Sequence, residues 1–283
     1  MSVVALAGVM GAPGVTTTAL ALLRTWPVEA GRRMVLAECD PDGGAILAGA
    51  LQGRFPADRG LRNLALASRA QDFSAALWTQ LIGLRDEHDV AQEAGRRLLL
   101  PGLTDPAQAV SMAAVWGQLS GEFAGMHDRG VDVLVDLGRG GAFGPSAVLA
   151  LQADVVVMVV RGTMRSLDAA KVRVAGLRRA MEGPQGRGVR RLAVVLVAQG
   201  PYGAREVSLA LEVPVVATLP FQPGEAEVLS DGAPEGRQFR RSELMRAAAS
   251  ACLPIRQQMV FRPDRVPSGV DRLRMKGAVG RAR

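Results

Sequence analysis

Residues 155–160 read VVVMVV, with no polar side chain on either face of an extended chain. A strand with one solvated face alternates apolar and polar residues. One that is apolar throughout must be covered on both sides, as in a parallel sheet sandwiched between helices. Similar short runs recur at 3–7, 34–38, 97–100, 131–137, 192–198 and 215–219. Between them, the spacing predicts helices over 16–26, 44–51, 73–84, 106–129, 145–151, 166–181, 205–211, 225–230 and 242–252. The alternation predicts an α/β fold, a mostly parallel sheet with helices on both faces.

The 283 residues suffice for one large domain of this type, expected over 1–254. The remainder, 255–283, differs in character. It holds eight basic residues against Asp264 and Asp271, and so carries +6 of the chain's net +7. Its Pro, Gly and Arg content predicts a flexible tail able to touch an anionic membrane or DNA. The body is near neutral and offers no broad nucleic-acid platform. No apolar run approaches the ~20 residues of a membrane helix. The first strand begins at Val3 with no signal peptide before it, so the expected location is cytoplasmic, with peripheral membrane contact through the tail. Cys39 and Cys252 have neither metal-ligand nor disulfide-framework spacing, and His88 and His127 read as surface or helix-end residues.

The chemistry concentrates where strands give way to helices. Residues 8–23 read GVMGAPGVTTTALALL. Gly8, Gly11 and Gly14 with Pro13 suit a turn whose backbone N–H groups point inward, and the following helix adds the positive end of its dipole. Thr16 and Thr17 supply hydroxyls for a metal ion and a phosphate. The segment LAECDPDGG (36–44) ends a strand in Glu38, Asp40 and Asp42. The segment VDVLVDLGRGG (131–141) ends another in Asp136, Gly138 and Arg139. Carboxylates at strand ends beside a phosphate loop can hold Mg²⁺ or orient water, and a glycine amide can sense a phosphate.

In this order and spacing the three segments resemble the ParA/MinD group of P-loop ATPases, whose deviant Walker A loop reads K-G-G-x-G-K-T-T. Met10 to Thr17, MGAPGVTT, aligns with that loop. ECDPDGG aligns with the family's D-x-D-P-Q-G, and VDVLVDLG with its switch II strand. The later stretches ADVVVMVVRGTMRSLDAAKV and LEVPVVATLPFQPGEAEVLSDG are similar to its next strand–helix unit and its nucleotide-base loop. The resemblance runs over roughly 3–253 and implies the P-loop fold, with ATP and Mg²⁺ as cofactors. It implies Gly11, Ala12, Pro13, Gly14, Val15, Thr16 and Thr17 as the phosphate loop, with Thr16, Asp40 and Asp136 toward the metal and Asp40 as the catalytic aspartate.

Two departures cut against activity. Where the family has lysines, one crossing a dimer interface and one gripping the β/γ-phosphates, this chain has Met10 and Val15. The family's glutamine is Asp42, and its leading aspartate is Glu38. A charge-assisted hydrogen bond contributes about 1.5–3 kcal/mol. Losing two costs roughly 3–6 kcal/mol, a factor of ~10² to 10⁴ in affinity. The expectation is a degenerate member, a pseudo-ATPase with hydrolysis lost or very slow. It would act as a positioning or assembly adaptor for protein partners, in pilus or secretion machinery or in chromosome or division positioning, alone or as a homodimer. The pilus-assembly TadZ/CpaE-like branch, which contains altered loops, is one such setting. Arg139, Arg161 and Arg165 are either solvated loop residues or replacements for the lost cations. The second case would make the chain a slow ATPase or a nucleotide-dependent switch.

Overall fold

The computed structural model describes residues 3–10, 14–67, 69, 72–84, 96–184, 186, 188 and 191–259. Eight strands form one sheet in the order β3-β4-β2-β5-β1-β6-β7-β8. They are β1 (Val3–Gly8), β2 (Arg33–Glu38), β3 (Ile82–Leu84), β4 (Arg97–Leu100), β5 (Val131–Asp136), β6 (Val155–Arg161), β7 (Leu192–Ala198) and β8 (Val215–Pro220). All pairings are parallel except the edge pair β3–β4. Helices α1 (Val15–Thr25), α2 (Leu61–Ala67), α3 (Phe73–Gln80), α4 (Ala113–Met126), α5 (Ala147–Gln152), α6 (Met164–Glu182), α7 (Ala204–Leu211), α8 (Pro223–Ser230) and α9 (Glu243–Gln257) cover the sheet.

The all-apolar strands are explained by their two partners. In β6, Val156, Met158 and Val160 enter the core formed with α2 to α7, while Val155, Val157 and Val159 enter the core formed with α1, α8 and α9. β1 divides in the same way, Val3, Ala5 and Ala7 to one side and Val4 and Leu6 to the other. Each fully buried aliphatic side chain contributes about 1.5–3 kcal/mol, so a polar residue on either face of these strands would be costly.

The seven expected strands are present, and the helices differ from expectation in five places. The stretch 73–84 does not continue as helix. It ends at Gln80, Leu81 takes an extended backbone (ψ 140°), and Ile82–Leu84 pairs antiparallel with β4. The stretch 44–51 is a series of turns instead of a helix, and α2 is an additional helix. The stretch 106–129 is a 3-10 segment (Pro106–Met112) leading into α4 and a closing 3-10 turn (His127–Arg129). Helix α9 runs on through Pro254 to Gln257. Cys39 and Cys252 are buried free thiols. Among the described residues no helix is long and apolar enough to cross a membrane. His88 and tail residues 260–283 lie outside the described residues.

Candidate functional site

The carboxyl ends of β2, β5 and β1 lie side by side at the middle of the sheet. The ladder continues past the strands. Cys39 N–H donates to the Asp136 carbonyl (2.7 Å), Leu137 N–H to Leu6 (2.9 Å) and Gly8 N–H to Gly138 (2.8 Å). Three loops are thereby sewn together at their roots, bringing Thr16, Asp40, Asp136, Gly138 and Arg139 into one cleft.

Asp136 is fully buried. Its Oδ1 accepts the Gly138 amide at 2.9 Å, the Thr16 hydroxyl bonds the same carboxylate, and Oδ2 has no hydrogen-bond partner. Burial raises its pKa to about 6, the Thr16 and Gly138 bonds pull against that rise, and the Glu38 charge adds to it. Asp40 faces the other side of Gly138. A Cβ on Gly138 would stand 1.6 Å from Asp40 Oδ2, and Gly138 has φ +54°, a conformation that favours glycine. Burial likewise raises Asp40 to about 6. The Asp42 amide, which donates to Oδ1 at 3.0 Å, and the Arg139 charge lower it, while Asp136 and Asp42 push it up. Arg139 is exposed at the rim, within electrostatic reach of Asp40.

Helix α1 opens on Gly14 (φ 120°) with no side-chain cap and no acid in its first turn, so its leading N–H groups and dipole remain an anion-binding end. The residue that begins it adds no charge to that end. Val15 is 4% exposed and packs in the α1/α9 core, and Met10 projects 71% exposed. Thr16 and Thr17 are half-buried beside it, and Gly11, Ala12 and Pro13 lie outside the described residues.

Arg161 and Arg165 lie at the next strand end, that of β6. The Arg161 guanidinium stands over the Phe221 ring at 5.2 Å, and its pKa is lowered by partial burial and then by Arg165. Lys171 is two turns along α6 and exposed. Glu38, one of the acids expected near a metal, is used differently. Its carboxylate is 2% exposed and bonded to three backbone amides, those of Ala45, Ile46 and Gly102. Burial raises its pKa, and those amides oppose the rise. No pattern in the sequence marks this role, because the third donor is 64 residues away.

The metal and the triphosphate fit this cleft differently. The Thr16 hydroxyl and the unpartnered Asp136 Oδ2 are hard oxygen donors of the kind Mg²⁺ takes. Among the described residues no group of three or more His, Cys, Asp or Glu side chains can hold a metal, so a cation here would complete its shell with water or phosphate oxygens. For a triphosphate, the start of α1 supplies backbone N–H groups and the Thr16 and Thr17 hydroxyls, its first side chain is the apolar Val15, and Arg139 is a cation within reach of Asp40.

No protein-family model matches the sequence, and no curated protein matches it. Solved structures do match the fold. A ParA family ATPase from Chlorobium tepidum superposes with TM-score 0.64 at 16% identity, covering 89% of this chain and 98% of that one. The MinD cell division protein of Aquifex aeolicus gives 0.64 at 15%, covering 93% and 98%. The septum site-determining protein MinD of Pyrococcus horikoshii, complexed with Mg-ADP, gives 0.60 at 18%, covering 95% and 98%. The chain has the α/β P-loop fold of the ParA/MinD ATPases.

Proposed function

We propose that this chain is a degenerate ParA/MinD-like protein, a pseudo-ATPase that serves as a positioning or assembly adaptor for a larger machine. The observation that carries the reading is Val15. The first residue of α1 is packed into the core, while Asp40 and Asp136 opposite it hold raised pKa values. A triphosphate entering this cleft would meet about two missing charge-assisted contacts, roughly 3–6 kcal/mol, and added repulsion from Asp42. The folded architecture around it is intact, which leaves surfaces as the working parts. Its partners would be proteins of the assembly, with homodimerisation independent of nucleotide, in pilus or secretion machinery of the TadZ/CpaE-like kind or in chromosome or division positioning. The folded unit, expected over 1–254, extends with α9 to Gln257 and buries Ile255 and Met259, and the basic remainder of 255–283 would add electrostatic contact with an anionic membrane or DNA at a cytoplasmic surface.

Calorimetric titration of the full chain with Mg²⁺·ATP tests this. The expected result is no binding at millimolar nucleotide and an elution volume on size-exclusion chromatography unchanged by ATP. Micromolar binding, or ATP-driven dimerisation, refutes it.

A second reading is favoured by Arg139, whose charge reaches Asp40. In it, Arg139 stands in for the lost lysine and the chain is a slow ATPase or nucleotide-dependent switch. Micromolar binding abolished by Arg139→Ala would establish that reading.

A further inference from the structure

The turns that replace the expected helix at 44–51 are held at both ends. At the first end, Glu38 Oε1 accepts the amides of Ala45 (2.5 Å) and Ile46 (3.0 Å), and Oε2 accepts that of Gly102 beyond β4 (2.9 Å). Gly44 N–H donates to the Leu103 carbonyl at 2.6 Å. Two glycines make room for the carboxylate. A Cβ on Gly44 would stand 2.5 Å from Glu38 Oε2 and 2.9 Å from Gly102 Cα. One on Gly102 would stand 2.8 Å from Gly44 Cα. In the middle, Ile46 is 1% exposed in the α1/α9 core. At the far end, Gln52 Nε2 donates to the Asp231 carbonyl at 3.2 Å, and a Cβ on Gly49 would stand 2.2 Å from the Ser230 carbonyl oxygen. Residues 39–53 are thus tied to the β4 loop on one side and to the loop after α8 on the other.

We propose that residues 39–53 form a strap, clasped by Glu38, that holds the loop carrying Asp40 and Asp42 in one arrangement whether or not phosphate is present. The inference deepens the adaptor reading, since a surface used for docking gains from a loop that does not switch. It also gives the glutamate a reason. An aspartate here would be shorter by one carbon–carbon bond, about 1.5 Å, and its carboxylate would stop short of the 45–46 and Gly102 amides. A buried carboxylate with three amide donors is a charge-assisted clasp, each bond stronger than a neutral one.

Hydrogen exchange read residue by residue by NMR on the full chain tests the strap. The amides of Ala45, Ile46 and Gly102 are expected to exchange at least about tenfold more slowly than the turn amides of Phe55, Ala57, Asp58 and Arg59, the factor that one charge-assisted bond confers. Glu38→Asp, and independently Gly44→Ala, should speed those three amides by about ten- to a hundredfold and leave β1 and β5 protected. Adding millimolar Mg²⁺·ATP to the native chain should leave the pattern over 39–53 unchanged. Fast exchange of the three amides in the native chain, protection retained in both variants, or a pattern that tightens with Mg²⁺·ATP would each overturn the strap. Its failure is distinguishable from that of the adaptor reading. Nucleotide binding with 39–53 unaltered refutes the adaptor and keeps the strap, whereas absent binding with unprotected amides does the reverse.

Discussion

Replacing Asp136 with Asn removes one charge from the cleft while keeping the side chain's shape, and so asks whether that charge is neutralised. Burial raises the native carboxyl from 3.8 to about 6. About two pKa units correspond to roughly 3 kcal/mol of differential proton binding between the folded and unfolded chain. The sign follows from the direction. The folded state holds this proton more tightly than the unfolded state, so the stabilisation is complete below about pH 4 and is lost as pH rises through 6. Relative to Asp136→Asn, the native chain should therefore lose about 3 kcal/mol of stability between pH 4 and pH 7. The carboxamide places an N–H₂ where Oδ2 has no partner. That costs about 1–3 kcal/mol at every pH and displaces the variant's curve without changing its slope. Urea unfolding of both chains from pH 4 to pH 8 gives the difference directly. A flat difference curve would refute the reasoning. It would mean that a cation already sits on Asp136, and the account of Asp136 as a buried carboxylate without a neutralising partner would fail with it.

Val15→Lys returns a cation to the start of α1 and should tighten Mg²⁺·ATP binding by roughly 10- to 150-fold in calorimetry, the equivalent of one charge-assisted contact; unchanged affinity would refute the assignment of Val15 as the residue that disables the loop. Gly138→Ala sets a methyl 1.6 Å from Asp40 Oδ2 at φ +54°, and is expected to lower stability by at least about 2 kcal/mol in urea unfolding. An unaltered midpoint would refute the close packing of Asp40 on this loop. Removing residues 260–283, with their seven basic side chains, should abolish co-sedimentation with anionic vesicles at low salt and leave unfolding unchanged. Co-sedimentation retained after the deletion would place the contact on the body.

The strand positions were legible because their signal is one-dimensional. A run such as 155–160 is apolar at every residue, and only a doubly covered strand tolerates that. The helix over 73–84 was not legible as a helix–strand pair. What ends it at Gln80 is pairing with β4, a partner some 15 residues along the chain, and its apolar residues fit either conformation. The 44–51 stretch shows the same limit. Its Ala, Ile and Leu residues suit a helix, yet the carboxylate of Glu38 takes the amides of Ala45 and Ile46.

From residue types and spacing alone came seven of the sheet's eight strands, the candidate residues Thr16, Asp40 and Asp136 where strands give way to loops and helices, and the absence of lysine from the loop. These depend on local pattern and on chemistry that each residue carries wherever it sits. Tertiary structure alone decided that Val15 faces the core, that Asp136 keeps an oxygen without a partner, that Arg139 lies within reach of Asp40, and that Glu38 serves as a clasp. Burial, electrostatic neighbours and backbone donors come from segments distant in the chain, and only folding brings them within a few ångströms of one another.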